Sequence, residues 1–421
     1  MQMRKIKNKG FLKNIAVLAG GTSVARALSI AASPLLARLF TAEDFALSAA
    51  FVSAATLFVI LATGKYEAAV ILPDDDDAKI LLTGIFLLSG TVALISPLAL
   101  FLLGNFNAAC RLIIENNLLI YFVIFVFCMA VLEGIRYYFV RTGRFKAVSY
   151  RIILVSLVTV TLNLIGGKFF YSNKILIISS TFAQITALLL FAYLLFGKEK
   201  FPDFGLKDIF RILKKYRRFP KLTMPGQFIN SLTGSLPVLV LSSFYLQSEI
   251  GQFAFVHRII SIPTGVIGKS VSQVFLQKIS KADYAEQRRI FLRTAFLLFV
   301  FITACAVPCI VFSRELFGFA FGEKWLPASE TAVILAPAYI LQFAASGVSG
   351  PVFIVNQKLK TEFFLQIMRF VLVAGSFAAA YFFGVSFAVS MIFFGAAMSI
   401  WYILGFLKAL SILNKGLKEG K

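Results

Sequence analysis

The sequence predicts an all-α membrane protein. Twelve transmembrane helices are expected, in two six-helix bundles related by a pseudo-two-fold axis along the membrane normal. Three observations predict it. Apolar residues make up 59% of the 421-residue chain and charged residues 15%. A soluble domain of this size cannot hide so much apolar surface, because its exterior must still be polar, so the excess faces lipid. Twelve stretches are long and apolar enough to cross a hydrocarbon core of about 30 Å. The 42 Lys and Arg residues are placed unevenly: 32 fall in the tails and loops of one side, six in the loops of the other and four within spans. Basic loops stay in the cytoplasm, so both termini are expected there. Losing one span would invert half the loops and scramble that bias. The net charge of +22 therefore reads as topology, and no nucleic-acid partner is expected.

The spans of the first half run at about 14–38, 45–64, 80–103, 118–136, 150–167 and 175–196. Those of the second run at about 222–246, 251–278, 290–312, 328–355, 362–383 and 386–407. The chain opens Met1-Gln2-Met3-Arg4-Lys5-Ile6-Lys7, like a signal peptide. The apolar run that follows is too long for one and carries Arg26. Gly166, Gly167 and Lys168 are expected to cut the fifth span short. The longest connection, 197–221, is cytoplasmic and divides the chain into bundles 1–196 and 222–421. Within it Ile209, Ile212, Leu213, Tyr216 and Phe219 share one helical face and basic residues fill the other. That amphipathic helix is expected to lie on anionic headgroups. No outer loop is long enough to house an extracytoplasmic domain.

The halves repeat faintly. Glu43-Asp44-Phe45-Ala46-Leu47 follows the first span and Glu249-Ile250-Gly251-Gln252-Phe253 follows the seventh. Phe139–Lys146 follows the fourth and Ile354–Lys360 the tenth. With an even number of spans per half the repeat is parallel, a transporter pattern that puts the substrate path between the halves.

A charge at mid-bilayer costs at least about 2.5–3.5 kcal/mol, so it faces a cavity, pairs or snorkels. Arg26 lies twelve residues into the first span. Arg258 and Lys269, eleven residues apart in the eighth, return to nearly one face of an ideal helix, although Pro263 and Gly265 between them are potential kinks. These three are the candidate substrate-binding residues, with partners on other helices as the alternative for Arg26. Arg369, near an inner helix end, is expected to snorkel. Glu67 and Glu133 are candidates to carry a coupling cation, and each also has a local basic neighbour, Lys65 and Arg136. His257, the single histidine, either titrates or is a hydrogen-bonded structural imidazole. The run Asp74-Asp75-Asp76-Asp77 suits a helix N-terminus. Prolines at 34, 97, 225, 237, 263, 308, 337 and 351 lie in or at the ends of spans and are candidates for breaks lining a cavity. Four cysteines form no framework, and no metal cluster, phosphate-binding glycine loop or catalytic triad appears. No cofactor and no enzymatic activity are expected. Without a nucleotide site, transport would draw on an ion gradient, the membrane potential or the substrate gradient.

Several segments resemble bacterial polysaccharide flippases of the Wzx (O-antigen) type, within the multidrug/oligosaccharidyl-lipid/polysaccharide exporter superfamily. They are Pro34-Leu35-Leu36-Ala37-Arg38-Leu39-Phe40-Thr41-Ala42-Glu43-Asp44-Phe45, Lys65-Tyr66-Glu67-Ala68-Ala69-Val70-Ile71-Leu72-Pro73, Gly251-Gln252-Phe253-Ala254 with Arg258-Ile259-Ile260-Ser261-Ile262-Pro263, and Phe321-Gly322-Glu323-Lys324-Trp325. The resemblance keeps its order over nearly the whole chain. It implies alternating access around a cationic cavity in a bacterial inner membrane. It also implies an undecaprenyl-pyrophosphate-linked oligosaccharide as substrate, moved from inner to outer leaflet for surface polysaccharide such as the O-antigen of lipopolysaccharide. Membrane lipids, a coupling H⁺ or Na⁺, and polymerase and chain-length proteins would be its partners. Arg26, Arg258 and Lys269 would then face the pyrophosphate. A drug or cation antiporter of the same superfamily is the alternative, and a membrane polysaccharide polymerase a more distant one, since a polymerase would want a large outer loop.

Overall fold

In lipid every backbone N–H and C=O must be satisfied within its own segment, so long apolar runs become helices. The computed structural model describes residues 8–197, 199, 202–280 and 282–418, except for the side chains of 8–19, 262, 263, 265, 266, 269, 270 and 359. Among the described residues there is no strand. The helices are α1 (Asn8–Leu39), α2 (Ala42–Thr63), α3 (Asp75–Gly104), α4 (Ala108–Glu115), α5 (Leu119–Arg141), α6 (Phe145–Phe169), α7 (Ile175–Phe196), α8 (Leu206–Lys215) and α9 (Met224–Leu241). They continue as α10 (Gln247–Pro263), α11 (Lys269–Ile279), α12 (Tyr284–Val311), α13 (Ser313–Phe321), α14 (Leu326–Val355), α15 (Leu359–Phe382) and α16 (Phe387–Lys418).

Nine described helices meet both the length and the apolarity needed to span a membrane. The other three expected spans correspond to α1, to α9 and to α10 with α11. α9 has 18 residues and contains Pro237. α10 stops at Pro263, and a π-helical turn over Thr264–Gly268 separates it from α11. Most prolines do not break their helices: Pro34, Pro97, Pro237, Pro308, Pro337 and Pro351 lie inside continuous ones. Gly166 and Gly167 do not end α6 either. A methyl on Gly166 would meet Ile175 at 2.7 Å and one on Gly167 would meet Phe40 at 2.8 Å. Both glycines serve close packing.

Contacts divide the chain into two units, Met1–Phe40 with Leu47–Leu239 and Thr41–Ala46 with Val240–Lys421. In the first, α1 packs along α6, α6 on α7, and α3 on α5. Its core joins Leu81, Ile85, Leu132, Phe139 and Phe191 with Ile209 and Ile212 of α8. The apolar stripe of α8 is thus buried against α3 and is taken up by protein contacts. The first unit contains 197–221 and most of α9. In the second unit α14 is central, touching α10, α11, α12, α13 and α16. On α12, Phe296, Leu297, Phe299, Val300 and Phe301 are exposed. An apolar surface of that extent belongs against acyl chains.

Candidate functional site

The second unit holds Arg258. Its helix, α10, starts where the Leu246 N–H donates to the Glu249 carboxylate at 3.0 Å, satisfying an N-terminal donor. His257 and Arg258 follow. His257 is exposed, stacks on Phe253 with centroids 5.7 Å apart, and shares a hydrogen bond between Nδ1 and the Tyr339 hydroxyl of α14. Of the two readings of this histidine, the structure shows the hydrogen-bonded one. Arg258 is half-buried and has no ion-pair partner among the described residues. A charged guanidinium in a membrane helix is costly against hydrocarbon and calls for water, an anion or a backbone partner.

The π-helical turn follows within two turns of Arg258. Such turns are rare and recur at functional sites. It also changes the helical phase, so the shared face inferred for Arg258 and Lys269 from an ideal helix does not carry over. Lys269 opens α11, and its side chain lies outside the described residues.

Arg26 belongs to the first unit. The α1–α6 contact uses Gly21, Ala25 and Ser29: Ser156 Oγ donates to the Ala25 carbonyl at 2.8 Å and lies 3.2 Å from Ser29 Oγ. Arg26 sits beside that seam, half-buried, with a contact of its own to a neighbouring group. Arg369, expected to snorkel, lies over the Trp401 ring at 5.1 Å.

Both candidate acids lie in the first unit and both are ion-paired. Glu67, on the 3-10 turn Tyr66–Ile71, is 2% exposed, and Lys65 Nζ meets its Oε1 at 2.9 Å. Its Oε2 is buried with no hydrogen-bond partner among the described residues. The turn is held by the Tyr66 hydroxyl, which donates to the Leu213 carbonyl at 3.1 Å. Arg141 also holds it, donating to the Val70 and Ile71 carbonyls and pairing with Asp75 at 2.7 Å. Glu133 accepts from Arg136 Nε and Nη2 at 2.9 and 2.6 Å, and from Arg151 Nη1 at 3.3 Å. Arg136 and Arg151 sit within α5 and α6.

Of the segments that carry the family resemblance, residues 65–73 and 34–40 lie in the first unit, and residues 41–45, 251–263 and 321–325 in the second. Phe45, Phe255, Phe321 and Trp325 form one aromatic cluster, with Phe255–Trp325 centroids at 4.1 Å and Phe45–Trp325 at 5.4 Å. Thr41 and Asp44 cap α2 reciprocally. Gly322 has φ +95°, a conformation that suits glycine. A methyl on Gly251 would lie 1.7 Å from the Ala42 carbonyl oxygen. These motifs build structure here, whereas Arg258 is chemically available. Sequence reasoning missed Arg151 and Tyr339. For Arg151 the signal was the tight hairpin at Gly143, which brings α6 back along α5. For Tyr339, 82 residues from His257, no local signal exists.

Architecture and charge placement together define a multi-pass membrane protein of the transporter type. The family model "Polysaccharide biosynthesis protein" matches residues 11–283, and the chain belongs to that family. No curated protein sequence matches it. Among solved structures, the lipid II flippase MurJ in an inward closed conformation is similar at 16% identity, with a TM-score of 0.75 and coverage of 94% of this chain and 87% of that one. An inward-facing multidrug resistance MATE family transporter of the MOP superfamily is similar at 16% identity, TM-score 0.62 and coverage of 94% and 95%. A MOP superfamily transporter from Pyrococcus furiosus, described as having a binding pocket of reverse polarity, is similar at 15% identity, TM-score 0.53 and coverage of 96% of each chain. At such identities these likenesses speak for the fold.

Proposed function

We propose that this protein is a flippase that moves an undecaprenyl-pyrophosphate-linked oligosaccharide from the inner to the outer leaflet of a bacterial inner membrane. Both termini are cytoplasmic and the mechanism is alternating access. The observation that carries the reading is Arg258, a half-buried arginine in the helix that stands at the expected eighth span, with no ion-pair partner among the described residues. A diphosphate bears about two charges through a low-dielectric path, and the planar guanidinium can engage two of its oxygens together. Arg26 and Lys269 complete the anion-binding set. The polysaccharide family supports a glycan-bearing substrate, and the likeness to a lipid II flippase supports a lipid-linked one.

A drug or cation antiporter, the reading favoured by the MATE likeness, needs acids free to take a cation. Glu133 is shared by two arginines and has no charge left for one. Glu67 retains one carboxylate oxygen without a hydrogen-bond partner, and we assign any coupling H⁺ or Na⁺ to it. Polymerase and chain-length proteins would act on the product at the outer face.

The test is surface polysaccharide in cells whose own copy is deleted and replaced by variants. Arg258→Lys is expected to impair export although it keeps the charge, and Arg26→Ala to impair it more, at unchanged protein level in the membrane. Full export by both would overturn the anion-binding role.

A further inference from the structure

The helix α8 is amphipathic, but its apolar stripe is already spent on α3, with Ile209 and Ile212 buried. A second apolar set remains outside: Phe210 is 70% exposed and Leu222 74%, with Leu206 and Leu72 also exposed. At the C-terminal end of α8 lies a cleft of about 690 Å³, lined by Arg211, Lys214, Lys215, Arg217, Arg218 and Leu72. Asp208 balances Arg211 at 3.2 Å and Asp77 balances Lys215 at 2.9 Å. Lys214, Arg217 and Arg218 have no ion-pair partner among the described residues. Three basic side chains of the cleft are thus left outside any ion pair, while Asp74 adds its field at Lys215. The hydrogen bond to Asp77 holds the Lys215 ammonium above its ordinary pKa.

Exposed apolar side chains around a cationic hollow fit the level of the lipid headgroups, where the former enter the acyl region and the latter meet phosphate. A single phosphodiester would leave most of the charge unmet. Two phosphates on one headgroup match it better, and two adjacent arginines can each grip a pair of phosphate oxygens. We propose that this cleft is a binding site for an inner-leaflet phospholipid with two phosphate groups, seated on the linker helix of the first unit. It does not rest on the flippase reading, since binding can be measured without transport.

The test uses the purified, delipidated full chain and the rise of its thermal midpoint with added lipid. Cardiolipin is expected to saturate at a concentration about tenfold below phosphatidylglycerol, with phosphatidylcholine inert. Lys214→Gln/Arg217→Gln/Arg218→Gln should raise the half-saturating cardiolipin concentration by about 10- to 100-fold, at roughly one Boltzmann decade or less per charge. A control triple at the exposed end of α16, Lys408→Gln/Lys415→Gln/Lys418→Gln, should shift it less than about twofold. If the cleft triple fails to fold, Arg217→Gln alone should weaken cardiolipin by about 3- to 10-fold. Equal loss in cleft and control triples, or equal response to one- and two-phosphate lipids, would overturn the site. So would saturation by inorganic pyrophosphate or a polyprenyl diphosphate below the cardiolipin concentration, since the cleft would then serve a different phosphate source.

Discussion

Removing the carboxylate of Glu133 is expected to damage the fold rather than the transport cycle. Glu133 stands between two arginines, 2.6 Å from Arg136 Nη2 and 3.3 Å from Arg151 Nη1. The side chain of Arg151 is 9% exposed, so water screens it poorly. At an effective dielectric of about 20, a unit pair 3.3 Å apart interacts by about 5 kcal/mol. Arg136 is a third exposed and contributes less. Glu133→Gln keeps a hydrogen-bond acceptor but leaves Arg151 buried without its counter-charge. Breaking a buried pair from one side typically costs about 3–5 kcal/mol. The expected loss is a thermal midpoint lower by about 3–6 °C in detergent, with less protein in the membrane. Adding Arg151→Gln removes the stranded charge and should recover more than half of that loss. A Glu133→Gln protein within about 2 °C of wild type would refute the reasoning. Normal stability with transport no longer dependent on a cation would instead return Glu133 to the role of coupling acid.

Three further outcomes follow from the packing. Gly251→Ala places a methyl against the Ala42 backbone, which cannot move aside as a side chain could, and should cost at least about 1–3 kcal/mol, seen as a lower yield of folded protein. Trp325→Ala empties the centre of the aromatic cluster and should cost about 3–5 kcal/mol, while Trp325→Phe keeps most of the stability in the same melt. Tyr66→Phe removes the hydrogen bond to the Leu213 carbonyl at a cost of about 1 kcal/mol; hydrogen exchange should quicken in α8 and not in α14.

The helices were legible because lipid leaves a span few options: about 20 apolar residues in a row must be helical. Arg258 was legible because a charge inside such a run needs a reason. What lay beyond the sequence depended on neighbours. The amphipathic pattern of α8 could not say whether its apolar face meets lipid or protein. The deciding residue is on another helix: a methyl at Gly84 would stand 3.1 Å from Leu213 and 3.3 Å from Ile209, so its absence leaves α8 room to seat. Glu133 carried a visible partner at Arg136, but Arg151 reaches it only because the hairpin at Gly143 folds α6 back. The π-helical turn at 264–268 was foreshadowed by Pro263 and Gly265, yet its phase shift could not be counted from spacing. Two of the motifs that gave away the family supply Phe45 and Trp325 to an aromatic cluster, a packing role that their spacing in the sequence did not announce.

The central claim is tested most directly by reconstituting the purified protein in vesicles that carry a fluorescent polyprenyl-diphosphate oligosaccharide in both leaflets and following how fast the inner pool becomes accessible to an outside quencher. Protein-dependent movement of this lipid is expected, strongly reduced by Arg258→Ala, and none of a neutral polyprenol glycoside. Movement of a cationic drug driven by an ion gradient, with the diphosphate lipid left in place, would contradict it.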